Sequence, residues 1–106
     1  MRVYIAGPYT NGDVALNVRA AIEAADALIV AGHAPFVPHL SHFQHMMRPQ
    51  PYETWLRLDM EWLPQCEALI RLPGDSSGAD AEVDEAQARG MPVYRSVADF
   101  WAAHCL

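Results

Sequence analysis

Residues 67–95 read EALIRLPGDSSGADAEVDEAQARGMPVYR, and this stretch gives the clearest indication of the architecture. An apolar run at residues 67–72 is followed by a turn-rich loop at 73–78. A helical pattern then covers residues 77–90, and a second apolar run follows at 92–95. Ser77 with Asp80 resembles a capping box, which predicts that the helix begins there and runs to Gly90. A strand, a helix and a strand in this order predict two parallel strands joined by a crossover helix.

The sequence on either side of this stretch continues the alternation. Apolar runs at residues 2–6 and 34–37 predict two more strands. Asp13 caps a predicted helix that ends at Gly32, and Ser96 with Asp99 opens a last helix that runs to about residue 104. Residues 52–63, which follow Pro51 and precede Pro64, predict another helix, whereas residues 38–51 are expected to be irregular.

This βαβαβαβα pattern predicts one α/β domain over residues 1–106. We expect a small doubly wound, flavodoxin- or Rossmann-like parallel sheet of about four strands in the order 2-1-3-4, with helices on both faces. Ligands of such sheets bind beyond the carboxyl ends of the strands, where the strand order reverses. Here that point lies between the first and third strands, beside the loops at residues 7–12 and 73–78.

Composition excludes several functional classes. The 106 residues carry a net charge of −6, and all seven basic residues are scattered arginines, so no basic stripe indicates a polymeric nucleic acid as a partner. The absence of lysine argues against Schiff-base chemistry and against a P-loop. Cys66 and Cys105 match no metal-ligand pattern and are expected to be reduced thiols. Without a long apolar run or a signal peptide, we expect a cytoplasmic protein with no membrane partner.

Glu82 is the most informative acidic residue. It falls within an apolar stripe formed by Ala79, Val83 and Ala86, so its side chain is expected to face the sheet or the crevice. Its position early in the helix favours the ionised form. The pattern therefore indicates a nucleophile or base, and the alternative is a glutamate that completes a helix cap.

Two further residues have both a structural and a functional interpretation. Asp59 lies on the side of its helix that carries Trp55, Leu58 and Trp62, and a buried aspartate is either paired or functional. It caps a neighbouring loop in the structural interpretation. Tyr4 is either a core aromatic residue or a phenol that orients a carboxylate.

Three histidines at residues 39, 42 and 45 raise the question of a metal site. Their spacing lacks a helical i, i+4 pair and a nearby acidic ligand, so no metal is predicted. The segment is instead expected either to line a nucleobase pocket through His39, Phe43 and Trp55, or to be a purely structural loop.

Short motifs along nearly the whole chain carry a family resemblance. They are Y-I-A-G-P at 4–8, P-H-L at 38–40, Asp59, A-L-I-R-L-P-G at 68–74, S-S-G-A-D-A-E at 76–82 and G-M-P-V-Y at 90–94. In this order they resemble the nucleoside 2-deoxyribosyltransferase-like family, which includes the 2′-deoxynucleoside 5′-monophosphate N-glycosidase branch.

The resemblance implies hydrolysis or transfer at the N-glycosidic bond of a nucleoside or its 5′-monophosphate, with no cofactor. It makes Glu82 the nucleophile, Asp59 the acid that positions the sugar or protonates the base, and Tyr4 the phenol that contacts the catalytic carboxylate. It also implies a substrate-binding set at Gly7, Pro8, Tyr9, Thr10, His39, Trp55, Asp75, Ser76, Ser77 and Gly78. A serine at position 76 or 77 matches the hydrolase branch, whereas the nearby Asp75 matches the transferases, so both branches stay open.

Some features depart from the family pattern. Residues 7–12 contain no arginine, so a 5′-phosphate would need Thr10, Asn11, backbone N–H groups, Arg19 or an arginine of another subunit. The chain lacks the PGGxGT motif of glycosidases that act on cytokinin-type nucleotides, and an enzyme that acts on NAD-like dinucleotides is a further alternative. A non-catalytic nucleotide-binding module is the main alternative function.

Self-association is expected from the second predicted helix. Residues 52–63 are apolar nearly all round, so one face is expected to pack on the sheet and another on a second subunit, in a homodimer or homotetramer. The partner expected in the crevice is a nucleoside or nucleotide.

Overall fold

A four-stranded parallel sheet forms the centre of the computed structural model, which describes residues 1–104. The strands are β1 (Arg2–Ala6), β2 (Ala34–Phe36), β3 (Ala68–Arg71) and β4 (Val93–Tyr94). β1 pairs with both β2 and β3, and β4 completes the sheet beside β3. The predicted order 2-1-3-4 is therefore confirmed.

The helices are α1 (Val14–Val30), α2 (Ser41–Met47), α3 (Tyr52–Trp62), α4 (Ser77–Ala88) and α5 (Val97–His104). Short 3₁₀ turns occupy Pro38–Leu40 and Leu63–Gln65. The predicted N-terminal caps of α1 and α5 are present. The Asp13 side chain accepts a hydrogen bond from the Leu16 amide, and Ser96 Oγ accepts one from the Asp99 amide at 3.0 Å. Gly32 follows α1 with φ of +90°, a conformation that favours glycine.

Alternating side chains of the central strands build two cores. Val3 and Ile5 of β1 face the side covered by Leu28 of α1 and Phe100 of α5. Tyr4, on the opposite face, packs with residues of β3, α4 and the second 3₁₀ turn, including Leu69, Ala79, Val83 and Leu63. Because successive strand residues point to opposite faces, both faces are covered and the central strands are buried.

The segment from residue 38 to residue 51 differs from the prediction. It was expected to be irregular, but Pro38–Leu40 forms a 3₁₀ turn that continues into α2. Proline is well suited to the first position of a helical turn, and no glycine or proline interrupts residues 39–48. Pro49 and Pro51 then separate α2 from α3.

The predicted start of α4 was wrong by one residue. Ser76, not Ser77, is the N-cap, and its side chain accepts a hydrogen bond from the Ala79 amide at 3.0 Å. Ser76 has the extended backbone that a cap requires, whereas Ser77 is already the first helical residue. Asp80 does not complete a capping box, because its carboxylate pairs with Arg71.

α3 also differs from the expectation. None of its residues, all of which the structure describes, is fully buried. It meets the sheet at its C-terminal end, where Trp62 stacks on Phe36 with ring centroids 5.9 Å apart. The helix therefore stands at the edge of the cleft described below rather than flat on the sheet.

The cysteines and the apolar character of the helices can be compared with the sequence expectations. Cys66 is a half-buried free cysteine, whereas Cys105 lies outside the described residues. Within residues 1–104, no helix has the length and apolar character needed to cross a membrane.

Candidate active site

A cleft of about 410 Å³ opens beyond the carboxyl ends of β1 and β3. Its walls come from the loop after β1, the first 3₁₀ turn, α2, α3 and the start of α4. The lining residues are Gly7, Tyr9, Thr10, Asn11, Pro38, His39, Ser41, His45, Gln50, Tyr52, Trp55, Leu56, Asp59, Ser76, Ser77, Gly78, Ala79 and Glu82. A volume of this size suits a small organic ligand, and the position agrees with the binding point predicted from the strand order.

Glu82 lies at the floor of this cleft. Only 7% of its surface is exposed, and its Oε2 accepts a hydrogen bond from the buried Tyr4 hydroxyl. The pKa of Glu82 is raised to about 7, chiefly by burial; the Tyr4 hydrogen bond and Arg71 lower it, and the charge of Asp59 raises it. Ionisation of Glu82 is therefore harder than ionisation of an exposed glutamate.

The sequence interpretation expected the position of Glu82 early in its helix to favour the ionised form, whereas burial raises the pKa of Glu82 and opposes that form. Glu82 is the sixth residue of α4, which begins at Ser77. The stabilising effect of the helix dipole on a carboxylate is largest in the first turn and falls off beyond it. At this depth desolvation outweighs the dipole.

Asp59 reaches the same cleft from α3. Its carboxyl group is half-buried, and desolvation raises its pKa to about 7. Of the neighbours predicted for it, Trp55 lines the cleft, but Leu58 is partly exposed and Trp62 is more than half exposed. Two carboxyl groups with raised pKa values thus line one cleft, and the charge of Asp59 contributes to the rise at Glu82.

Arg71, a residue that the sequence interpretation missed, supports the loop between β3 and α4. Its buried guanidinium donates to the carbonyl oxygens of Leu72 and Gly74, the latter at 2.9 Å, and to Asp80 Oδ1 at 3.0 Å. Because β-strand residues alternate, Arg71 lies on the same face as Leu69, towards α4. An arginine at the end of a buried strand was the available signal.

The loop after β1 packs against the loop after β3. Asn11 Nδ2 donates to the Asp75 carbonyl oxygen at 2.9 Å. Pro8 fills the space beside Gly74, where a Cβ would lie 2.7 Å from Pro8 Cγ. Pro8 and Asp75, which were predicted to bind substrate, therefore join the two loops and do not line the cleft.

Two other candidates also lie away from the cleft. Arg19, a possible phosphate ligand, is on the exposed side of α1 and pairs with Glu23 at 2.8 Å. Phe43, a possible base contact, is exposed on α2. The remaining predicted substrate-binding residues do line the cleft: Gly7, Tyr9, Thr10, His39, Trp55, Ser76, Ser77 and Gly78.

Tyr52 closes over the start of α4. A Cβ on Gly78 would lie 2.4 Å from the Tyr52 hydroxyl, so a larger residue at this position would displace the Tyr52 side chain. Burial and the charges of Glu82 and Asp59 raise the pKa of the Tyr52 phenol. The side chain is still 56% exposed, so it forms part of the rim.

The three histidines make three different interactions. His39 is buried, and its Nε2 lies 3.0 Å from the Pro8 carbonyl oxygen; burial lowers its pKa. His42 Nδ1 lies 2.5 Å from the Tyr9 hydroxyl, and His45 Nδ1 accepts from Trp55 Nε1 at 2.9 Å. Within residues 1–104, no group of three His, Cys, Asp or Glu side chains is arranged to hold a metal ion.

Most of the lining residues that the sequence did not indicate come from the 3₁₀ turn, α2 and α3. They are Pro38, Ser41, His45, Tyr52 and Leu56, and Gln50 joins them from the turn between α2 and α3. Recognition of residues 41–47 as a helix would have placed Ser41 and His45 one turn apart on one face. Tyr52 and Gln50 flank Pro51, and no local pattern predicts which way they face.

Comparisons with known proteins agree with the fold. A solved structure of a 2-deoxyribosyltransferase from the psychrotolerant bacterium Bacillus psychrosaccharolyticus has a TM-score of 0.65 and 19% sequence identity, over 88% of this chain and 69% of that chain. At this identity the likeness establishes a shared fold. The curated proteins give no match. A family model described as a domain of unknown function, DUF7768, matches residues 1–96, and the chain therefore belongs to that family.

Proposed function

We propose that this protein cleaves or exchanges the N-glycosidic bond of a nucleoside or its 5′-monophosphate, with Glu82 as the nucleophile. The observation that carries the proposal is the pair of carboxyl groups, Glu82 and Asp59, that line one cleft and both have a pKa of about 7. Glycoside cleavage with a covalent intermediate needs one ionised carboxylate and one protonated carboxylic acid. Two carboxyl groups with raised pKa values in one cleft can divide these two states between them, with Glu82 ionised and Asp59 protonated.

In the first step, an ionised Glu82 oxygen bonds to the anomeric carbon as the C–N bond to the base breaks. The electron pair of that bond leaves with the base, which takes the proton from Asp59. Tyr4 holds the attacking carboxylate through its hydrogen bond to Oε2. The products are free base, a sugar ester of Glu82 and ionised Asp59.

In the second step, water or a second base attacks the anomeric carbon and Glu82 leaves as a carboxylate. Asp59 accepts the proton that the attacking group loses, which restores the starting state. Water as acceptor gives hydrolysis, and a second base gives transfer. Every bond and proton in this scheme is handled by Glu82, Asp59 and the two substrates.

The cleft walls support a nucleoside as the substrate class. Trp55, Leu56 and Pro38 provide flat and apolar surface, which suits a base. Thr10 and Ser77 provide hydroxyl groups, which suit a sugar. The fold likeness to a protein described as a 2-deoxyribosyltransferase supports the same class.

An unphosphorylated nucleoside is the first substrate to test. No arginine or lysine belongs to the cleft lining in the described part of the chain. A 5′-phosphate would therefore depend on hydroxyl groups and on backbone N–H groups at the start of α4. Parallel assays with nucleosides and their 5′-monophosphates decide between these substrates.

The test is chromatographic detection of free base after incubation with a panel of ribo- and deoxyribonucleosides and their 5′-monophosphates. Glu82→Gln is expected to abolish base release, whereas Asp84→Asn, an exposed carboxylate on the same helix, is expected to retain it. Base release by Glu82→Gln at the wild-type rate rules the mechanism out. Tight ligand binding by calorimetry without base release from the wild-type protein would instead identify a non-catalytic nucleotide-binding module.

A further inference from the structure

His45 of α2 lines the cleft and is joined to two other segments through one ring nitrogen. Its ring lines the cleft, and its Nδ1 accepts two hydrogen bonds, from Trp55 Nε1 at 2.9 Å and from the Gln50 backbone amide at 3.2 Å. The ring also meets the Trp55 indole edge to face, with centroids 5.8 Å apart. This single atom therefore connects α2, the turn before α3 and α3 itself.

These two hydrogen bonds fix the tautomer of the neutral imidazole. An indole N–H and a backbone amide N–H are donors only, so Nδ1 must act as the acceptor. The ring proton of neutral His45 must then reside on Nε2. His42, on the same helix, differs because the Tyr9 hydroxyl can either donate or accept.

His45 Nε2–H consequently remains available to a ligand. Among the described residues 1–104, the hydrogen bonds of the His45 ring involve Nδ1 and none involves Nε2, and Trp55 and Leu56 line the same cleft. We propose that His45 donates this N–H to an acceptor nitrogen or oxygen of the leaving base, and that Trp55 and Gln50 hold the imidazole in the tautomer that can do so. The inference rests on the proposed function and adds a base-recognition residue to it.

The donated hydrogen bond acts on the departing group. As the C–N bond breaks, its electron pair moves onto the base, and the negative charge spreads to the ring nitrogens and the carbonyl oxygens. A hydrogen bond from an uncharged N–H to such an atom strengthens as that charge develops. His45 would thereby assist bases that are poor leaving groups and have little effect on a leaving group that is already stable as an anion.

The variant His45→Asn separates this role from a structural one. The asparagine Oδ1 can take the place of Nδ1 as an acceptor for Trp55 and Gln50, but the variant has no counterpart of Nε2–H. We expect kcat/KM to fall by about 10- to 100-fold on a nucleoside that the wild-type protein cleaves. On 4-nitrophenyl 2-deoxyriboside, whose leaving group needs no such assistance, the fall is expected to be about threefold or less.

Gln44→Ala, an exposed change on α2, is the matched control and is expected to leave both rates unchanged. Equal losses on the two substrates in His45→Asn, or no loss on the nucleoside, would overturn the assignment. A wild-type protein that releases no base from any substrate would instead contradict the proposed function.

Ring ¹⁵N NMR tests the tautomer without any enzyme activity. At about pH 8.5 we expect the His45 ring to show the Nε2–H form, and Trp55→Phe, which removes one of the two donors, to admit the other tautomer. A predominant Nδ1–H form in the wild-type protein would refute the inference whether or not the protein is an enzyme.

Discussion

Replacement of Glu82 by glutamine is expected to stabilise the folded protein at alkaline pH while it removes activity. Burial raises the pKa of Glu82 from 4.5 to about 7, so ionisation is harder in the folded protein than in the unfolded chain. One pKa unit corresponds to about 1.4 kcal/mol, so the ionised side chain lowers the free energy of unfolding by about 3 kcal/mol.

The folded protein loses stability as Glu82 loses its proton. Between pH 4.5 and about 7 the folded state holds the Glu82 proton more tightly than the unfolded chain. The free energy of unfolding therefore falls as the pH rises through this window and levels off above it. Glutamine does not ionise and can still accept the hydrogen bond from Tyr4. The free energy of unfolding of Glu82→Gln therefore does not fall in this way as the pH rises.

Urea denaturation of the wild-type protein, Glu82→Gln and Asp84→Asn at about pH 5 and about pH 9 measures the difference. The free energy of unfolding of Glu82→Gln is expected to exceed that of the wild type only slightly at the lower pH and by about 3 kcal/mol at the higher pH. Asp84→Asn, at an exposed position, is expected to follow the wild type. An equal advantage of Glu82→Gln at both pH values would refute the argument that Glu82 carries a buried, raised pKa.

Three further predictions test the site and the surface around it. Base release is expected to peak near pH 7 and fall on both sides, because it needs one proton on the pair formed by Glu82 and Asp59; a rate that is constant from about pH 5 to about pH 9 would contradict this. Tyr4→Phe is expected to shift the acidic limb of that profile to higher pH, since loss of the hydrogen bond raises the pKa of Glu82; an unshifted limb would show that the phenol does not tune the carboxylate. Exposed apolar side chains on α2 and α3, such as Met47 and Trp62, predict a homodimer or homotetramer in sedimentation; a monomer at all concentrations would exclude it.

Periodicity and turn residues were sufficient to predict the sheet order and the position of the cleft. Each strand run in the sequence is bounded by glycine or proline, and the helix between residues 77 and 88 carries a regular apolar stripe. The interruption of that stripe by Glu82 was a genuine signal, because an acid in an apolar stripe must face the interior or a site. These features are local, so a single sequence records them.

The features that the sequence did not predict depend on tertiary contacts. The degree of ionisation of Glu82 depends on burial and on Asp59, which is 23 positions away along the chain and in another helix. α3 was expected to pack on the sheet because it is apolar nearly all round, but such a pattern does not say which face meets which partner. The contact between Tyr52 and Gly78 likewise joins two segments that no local pattern connects.

A sugar trapped covalently on Glu82 would identify this residue as the nucleophile. A 2′-deoxy-2′-fluoro nucleoside with a good leaving group is suited to this, because fluorine disfavours the oxocarbenium-like transition state and slows release of the covalent intermediate. Peptide mass spectrometry is expected to find the fluorosugar on the wild-type peptide that contains Glu82 and on no peptide of Glu82→Gln. A sugar attached to Asp59, or base release by the wild-type protein with no adduct on Glu82, would contradict the account.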